Sequence, residues 1–136
     1  MLPPGTEALI DLAFREDIGD GDHTTLSTIP ADAKGAARLL VKSDGILAGV
    51  ELAEAVAAHL DKTLTLRIYV QDGAVVKKGD IAFTVMGLTR SILMVERVML
   101  NFMQRMSGIA TLTHSFVDAV QGTGCRILDT RKTTPG

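Results

Sequence analysis

Two stretches near the start of the chain place apolar residues three to four positions apart. The first begins at Thr6 and ends near Ile18–Gly19, and the second covers Gly49–Leu60. Such spacing puts the apolar side chains on one face of a helix. We therefore predict two amphipathic helices, the first of them capped by Thr6, each with one face against a core.

The segments around the second helix favour short strands. Ala36–Lys42 is predicted to be a strand, and apolar and polar residues alternate strictly over Thr63–Val70. Strict alternation indicates a strand buried on one face, as in an antiparallel sheet that is covered on one side. Two more short strands, separated by glycines, are predicted around Val75 and over Ile81–Met86.

A longer helical segment follows, with no proline and no strand alternation from Thr89 to Val120. Over Ile92–Met106 the apolar residues cover most of the helical circumference. They leave a narrow polar stripe that is formed by Arg90, Arg97, Asn101, Gln104 and Gly108. A helix of this kind is buried on nearly all sides, so we expect further chain or a second subunit to cover it. Ser107–Gly108 is predicted to bend or break the helix.

The last segment no longer has a helical pattern. Cys125–Leu128 is predicted to begin a new strand, and the charged, turn-forming Asp129–Gly136 follows it directly. A strand that ends in such a cluster is expected to lead into further structure. The sequence therefore looks cut and not finished.

The amino-acid composition argues against several classes of protein. The chain has 136 residues, 46% of them apolar and 22% charged, which is typical of one soluble globular domain and not of a disordered one. Fourteen basic and 16 acidic side chains, no Trp and one Tyr argue against a nucleic-acid partner. No apolar run approaches the roughly 18 residues of a membrane span. A single cysteine and the absence of signal-peptide features favour a cytoplasmic location.

Three polar residues after the last predicted strand are candidates for anion binding: Thr130, Arg131 and Lys132. Ligands of parallel α/β folds collect at the carboxyl ends of strands. There an arginine fork and a lysine ammonium suit a carboxylate or phosphate. The alternative is a solvated charged turn.

Arg97 is the second candidate, because a charge on a largely apolar helix is costly unless it is paired. It could pair with a buried carboxylate or with its neighbour Glu96. Alternatively, it could line an anion site, one shared across a subunit interface. The sequence leaves both interpretations open.

The remaining reactive groups are interpreted as structural. They are Asp17, Asp20, Asp22 and His23 in one acidic cluster, His59 and His114 within helices, and Cys125. The cluster lacks the spacing of a calcium loop and the histidines of a zinc site, so it indicates a turn-rich connection. The two helical histidines are expected to be surface or packing residues, and the thiol to be buried.

The glycines of Gly73–Gly87 suggest a hairpin similar to those of biotinyl and lipoyl carrier domains. The candidate lysines, Lys42 and Lys77–Lys78, lack the surrounding motif of such carriers. We interpret the glycines as backbone devices for tight turns. A carrier module is nevertheless kept as an alternative function.

Four segments, in order along the chain, resemble the quinolinate phosphoribosyltransferase family. Glu96–Thr111 is similar to its signature helix, and Leu128–Gly136 to its first barrel strand and the following loop. Glu16–Thr25 and Asp44–Gly49 fit as well. A related molybdenum-associated family shares the fold, but the uninterrupted motifs favour the quinolinate enzymes.

This resemblance implies an α+β architecture. An N-terminal α/β open sandwich, with helices on a small antiparallel sheet, would be followed by the first strand of an incomplete α/β barrel. Residues 1–110 would form the sandwich, and residues 111–136 the start of the barrel.

The resemblance also implies an activity. The family moves the phosphoribosyl group of phosphoribosyl pyrophosphate to quinolinate with loss of carbon dioxide, giving nicotinate mononucleotide for NAD biosynthesis. Thr130 and Arg131 would hold the quinolinate carboxylates, Lys132 carboxylate or phosphate oxygens, and Arg97 would reach in from the partner of a homodimer. Magnesium is implied, with ligands expected in the rest of the barrel.

No catalytic group and no metal ligand is assigned within these 136 residues. The chain alone is therefore expected to lack transferase activity. A purely structural dimerisation domain is the third interpretation.

Overall fold

The computed structural model describes residues 2–133. Nine elements follow one another along this part of the chain. They are α1 (Thr6–Ile18), α2 (His23–Thr28), β1 (Lys34–Leu40), β2 (Gly45–Ile46), α3 (Val50–Leu60), β3 (Thr65–Ile68), β4 (Val75–Val76), β5 (Ile81–Leu88) and α4 (Thr89–Ala119).

The larger sheet has three antiparallel strands in the order β1-β5-β3, so the last strand lies in the middle. Val85 at its centre pairs with Ala37 on one side and Leu66 on the other. Helices α3 and α4 pack against each other, and α4 also contacts β1 and β5. The core contains Phe83 from the sheet and Val56 and Val95 from the two helices, all fully buried. This arrangement confirms the predicted α+β sandwich of helices on a small antiparallel sheet.

A second, two-stranded sheet of β2 and β4 is fastened to α4 by side chains. Thr111 Oγ1 accepts a hydrogen bond of 2.9 Å from the Ile46 amide. Ser107 Oγ accepts from the Ala48 amide at 3.0 Å and donates to the Ala48 carbonyl at 3.1 Å. Gly45 is required for this approach, because a Cβ there would lie 2.6 Å from Thr111 Oγ1.

The predicted helix start was wrong in one detail. Gly5 is the N-cap of α1 and has no side-chain cap, while the Thr6 hydroxyl donates to the Pro3 carbonyl at 2.7 Å. Thr6 therefore lies one position too late to accept from the first amides. The end at Ile18, before Gly19, is confirmed, and so is the second helix over Val50–Leu60.

The predicted break at Ser107–Gly108 does not occur, since α4 is continuous from Thr89 to Ala119. A glycine inside a helix costs only about 1 kcal/mol relative to alanine. The Ser107 and Thr111 bonds to the β2 segment hold this turn in place and offset that cost. No helix within residues 2–133 combines the length and the apolar character needed to cross a membrane.

The range Ile92–Met106, which the sequence predicts to be covered nearly all round, is only partly covered within the described residues, because Met106 is 37% exposed and Leu93 and Met94 are half-buried. The first half of α4 is buried through Ile92, Val95, Val98, Met99 and Met103. In the second half, large apolar side chains are exposed: Ile109, Leu112, Phe116 and Val117. The prediction therefore holds in part for Ile92–Met106 within the described residues, and the exposed residues after Met106 lie outside its range.

Cys125–Leu128 is exposed and does not form a strand in this structure. A β-strand exists through hydrogen bonds to a neighbouring strand, and no strand among residues 2–133 pairs with this segment. For the same reason Cys125 is exposed and not buried as expected.

The segment Gly73–Gly87 does not form a carrier-type hairpin. Its two strands belong to different sheets, because β4 pairs with β2 whereas β5 pairs with β1 and β3. The intervening turn is fixed by two carboxylates: Asp80 accepts from the Lys77 amide and Asp44 from the Lys78 amide, both at 2.8 Å. The lysine pair thus lies in a turn between sheets and not at a hairpin tip.

Candidate functional site

Arg97 lies on the first half of α4, where this helix contacts α1 and α2. Its Nε is 3.3 Å from Oδ1 of Asp17, a residue of the last turn of α1. The Asp17 side chain is only 17% exposed, whereas that of Arg97 is 66% exposed. The arginine is therefore paired with a largely buried carboxylate, as one of the two sequence interpretations proposed, and still presents most of its side chain to solvent.

The connection from α1 to α2 places a second carboxylate near Arg97. Asp22 is the N-cap of α2, accepting from the Thr25 amide at 3.1 Å and from the Thr25 hydroxyl at 2.6 Å. These hydrogen bonds, together with the nearby Arg97 charge, hold the pKa of Asp22 below its usual range. The carboxylates of Asp17 and Asp22 thus approach the guanidinium from the α1 and α2 sides.

This connection explains the acidic cluster found in the sequence. Asp20 and His23 form an exposed pair with 3.3 Å between Oδ1 and Nε2. No group of three or more His, Cys, Asp or Glu side chains within residues 2–133 is arranged to hold a metal ion. The interpretation as a turn-rich connection is confirmed, although His23–Thr28 forms a short helix that the sequence reasoning missed. The capping signal was Asp22, an aspartate three residues before Thr25, whose amide it accepts from.

A second arginine of the polar stripe, Arg90, has a structural role. Its Nε donates to the Ile29 carbonyl at 2.7 Å and its Nη2 to the Leu26 carbonyl at 3.0 Å. These carbonyls belong to the end of α2, so Arg90 fastens that helix to α4. Sequence periodicity placed Arg90 and Arg97 on one stripe but could not separate their roles.

Two open cavities of about 390 and 300 Å³ lie on either side of Arg97. Asp22 and Thr24 contribute to both cavities. A larger groove of about 680 Å³ runs between the β1–β2 segment and the second half of α4. Neither Arg97 nor any of Thr130, Arg131 and Lys132 lines this larger groove.

The other predicted site residues lie in the segment after α4. Thr130, Arg131 and Lys132 are all exposed. The Thr130 amide donates to Asp129 Oδ1 at 2.7 Å, and the Lys132 amide reaches Thr130 Oγ1 at 3.3 Å. None of the three cavities brings these residues together with Arg97. Thr134, Pro135 and Gly136 of the same motif lie outside the described residues.

The remaining histidines have local partners, which confirms the structural interpretation. The His59 ring stacks on Phe14 with 5.9 Å between ring centroids, and its Nε2 lies 2.8 Å from Asp11 Oδ1. His114 forms an exposed pair with Asp118 at 3.3 Å. Neither histidine faces the cavities beside Arg97.

Comparison with protein families gives two adjoining matches. The family described as "Quinolinate phosphoribosyl transferase, N-terminal domain" matches residues 22–107. The family described as "Quinolinate phosphoribosyl transferase, C-terminal domain" matches residues 109–136. The two matches meet inside α4.

Curated relatives and solved structures agree with these matches. A chloroplastic nicotinate-nucleotide pyrophosphorylase [carboxylating] of Oryza sativa is 47% identical over 96% of this chain, which covers 35% of that protein. The Mycobacterium leprae nicotinate-nucleotide pyrophosphorylase [carboxylating] is 42% identical over 91% of this chain and 45% of its own length. The crystal structure of NadC from Streptococcus pyogenes superposes with a TM-score of 0.94 at 33% identity, covering 99% of this chain and 48% of that one. The chain thus spans about a third to a half of the proteins it matches.

Proposed function

This chain belongs to the quinolinate phosphoribosyl transferase family, and from that premise we propose that the protein containing it makes nicotinate mononucleotide for NAD biosynthesis. The phosphoribosyl group of phosphoribosyl pyrophosphate is transferred to the ring nitrogen of quinolinate, with release of pyrophosphate and carbon dioxide. The observation that carries the proposal is the family match over residues 22–107. Relatives named quinolinate phosphoribosyltransferase [decarboxylating], such as one from Nicotiana tabacum at 49% identity, support it.

The reaction sets an electrostatic problem that this chain's cations are suited to solve. Quinolinate is a dianion and phosphoribosyl pyrophosphate carries more negative charge, so holding both together requires cations in a shared pocket. Arg97, Arg131 and Lys132 supply such charges, and Thr130 a hydroxyl donor. The Arg97 side chain is 66% exposed while its Nε contacts Asp17, and Arg131 and Lys132 are exposed.

The chemistry itself needs orientation more than a strong base. The pyridine nitrogen attacks the anomeric carbon of the ribose, and the bond to pyrophosphate breaks as its charge is stabilised. Arg131 and Thr130 orient the carboxylates of quinolinate, and Lys132 binds carboxylate or phosphate oxygens. The positive charge of the alkylated ring nitrogen then stabilises the electron pair left at the neighbouring carbon when carbon dioxide departs, and that carbon takes up a proton from water to give nicotinate mononucleotide.

We assign Arg97 to the site of the partner subunit in a homodimer. The distinct locations of Arg97 and Thr130–Lys132 within one chain support this assignment, because no cavity beside Arg97 includes the second group. The exposed apolar face of the second half of α4 offers surface for further chain or for a partner to cover.

The proposal also includes a metal requirement and a cellular location. We propose that the reaction uses magnesium, but the described residues provide no metal site, so no step above depends on the ion. We propose a cytoplasmic location from the single cysteine. The names of several plant relatives place those proteins in chloroplasts or mitochondria.

The proposal is tested with the full-length protein, quinolinate, phosphoribosyl pyrophosphate and magnesium, following nicotinate mononucleotide. We expect turnover, and a loss of about 10- to 100-fold in kcat/KM for Arg131→Ala, since one hydrogen-bonded charge contact contributes about 1.5–3 kcal/mol. Arg126→Ala is the matched control, because Arg126 is an exposed arginine of the same segment. Absence of turnover by the native protein, or equal kinetics of the two variants, would contradict the proposal.

A further inference from the structure

We propose that Asp17 is a positioning residue, which orients the Arg97 guanidinium so that its terminal nitrogens meet an anionic group of the substrate. This inference rests on the proposed function, since it assumes that Arg97 contacts substrate. It concerns the acidic connection between α1 and α2, to which the proposed reaction otherwise gives no role.

The first support is the difference in burial between the two partners. Asp17 is held in the last turn of α1 with 17% of its side chain exposed, whereas Arg97 is 66% exposed. The Asp17 carboxylate is thus held in place by its surroundings. The long, exposed Arg97 side chain is the partner that loses conformational freedom when the pair forms. A contact that fixes the arginine before the ligand arrives lowers the entropy that binding has to overcome.

The second support is the atom through which the pair forms. The contact joins Asp17 Oδ1 to Nε of Arg97, at 3.3 Å. Arginine carries five N–H donors in a planar fork, so a bond at Nε leaves the two terminal nitrogens available for a two-point contact with a carboxylate or phosphate. A lysine has no second donor edge and could not be oriented in this way.

The third support is the role of Asp22 on the other side of the guanidinium. Each of its oxygens accepts a hydrogen bond from Thr25, whereas the ion pair of Arg97 is formed with Asp17. Asp17, which contacts Nε, is therefore the carboxylate placed to orient the guanidinium.

The test measures steady-state kinetics of full-length Asp17→Ala, Asp17→Asn, Arg97→Ala and the Asp17→Ala/Arg97→Ala double variant. Asp20→Ala is the matched control, because Asp20 lies on the same connection, is 93% exposed and changes the charge equally. We expect Asp17→Ala to raise the KM of one substrate about 10-fold with a smaller change in kcat. Asp17→Asn should recover part of that loss, because its amide oxygen still accepts from Nε.

The double variant separates positioning from an independent role. If Asp17 acts through Arg97, adding Asp17→Ala to Arg97→Ala should change KM no further. A further rise in KM in the double variant, or Asp17→Ala kinetics equal to those of Asp20→Ala, would overturn the inference while leaving the proposed function intact. Native kinetics of Arg97→Ala would instead remove Arg97 from the proposed site, and the inference with it.

A measurement that needs no activity addresses the geometry directly. In nitrogen-15 NMR spectra, the Arg97 Nε–H of the native protein should exchange slowly with water, and Asp17→Ala should make that exchange faster. Asp20→Ala should leave it unchanged. Fast Nε–H exchange in the native protein would contradict the pairing, whether or not any variant folds poorly in the kinetic series.

Discussion

The two halves of α4 both carry large apolar side chains but have different surroundings. The half from Thr89 to Met103 packs under α1, α2, α3 and the three-stranded sheet, and its apolar side chains are buried. The half after Met103 contacts the small β2 segment through hydrogen bonds and leaves apolar residues exposed. A helix-forming pattern is therefore common to both halves. The burial of each half depends on which other helices and strands pack against it.

The comparison also separates the two groups of candidate site residues. Arg97 belongs to the packed half and is held by Asp17. Thr130, Arg131 and Lys132 follow the exposed half and make only local backbone contacts within residues 2–133. The packed half thus fixes one component of the proposed anion site, and the other component requires additional structure to fix it.

The largest effect should appear when a phenylalanine in the core that covers the first half is compared with one on the uncovered second half. Phe83 of β5 packs in the core under α4 and is 1% exposed, whereas Phe116 in the second half of α4 is 55% exposed. We expect Phe83→Ala to lower the free energy of unfolding of the chain by about 3–5 kcal/mol. Phe116→Ala should change it by about 0.5 kcal/mol or less. Urea unfolding followed by circular dichroism measures both, and equal losses would refute the contrast between the halves.

A smaller effect is expected where the second half of α4 is hydrogen-bonded to β2. Thr111→Val removes the acceptor of the Ile46 amide and leaves a part-buried donor without its bond. We expect a loss of about 1–3 kcal/mol in the free energy of unfolding.

Thr113→Val is the matched control, since Thr113 lies two residues away on the exposed side of the same helix. If the two variants unfold at the same urea concentration, the attachment of α4 to β2 does not contribute to stability.

The smallest expected effect is on the stability of the fold at acidic pH, and it depends on Asp61. Asp61 accepts from the Ser91 hydroxyl at 2.6 Å, and the Thr63 hydroxyl and amide also donate to it, at 2.7 and 2.9 Å. The Ser91 bond, followed by the Thr63 bonds, holds the pKa of Asp61 below its ordinary value of 3.8. A lowered folded pKa stabilises the fold above the ordinary value, and this stabilisation is lost as the pH falls through the folded pKa.

Asp61→Asn should therefore reduce the loss of stability on acidification below pH 3.8. Thermal unfolding at a series of pH values measures that slope. Asp32→Asn, at an exposed position of a loop, is the control. An Asp61→Asn slope as steep as that of the native chain would show that this carboxylate does not tie α4 to the end of α3.

Sequence periodicity predicted the elements whose burial is decided inside this chain. The α3 helix, the β3 alternation and the central β5 strand follow from local patterns that agree with the packing. Periodicity failed where tertiary contacts override local preference, as at Gly108, where the bonds of Ser107 and Thr111 sustain the helix. It also failed at Cys125–Leu128, because a strand depends on neighbours that no local pattern specifies.

The candidate site shows the same division. The family motifs identified Arg97 and Thr130–Lys132 by residue type, and the polar stripe placed Arg97 on an apolar helix. The pairing of Arg97 with Asp17 could not be deduced, because it joins residues 80 positions apart across two helices. The sequence shows which residues carry charged groups, but only the fold shows which partner orients each of them.

The central claim is that Arg97 of one subunit and Arg131 of the other serve a single site. Co-expression of full-length Arg97→Ala and Arg131→Ala subunits tests it most directly. Each variant alone should have little activity. In a two-fold symmetric dimer, random mixing would leave one intact site in half of the dimers, so activity should return to about a quarter of the native value. Mixed dimers, verified by tagged purification, that are no more active than the single variants would contradict the account.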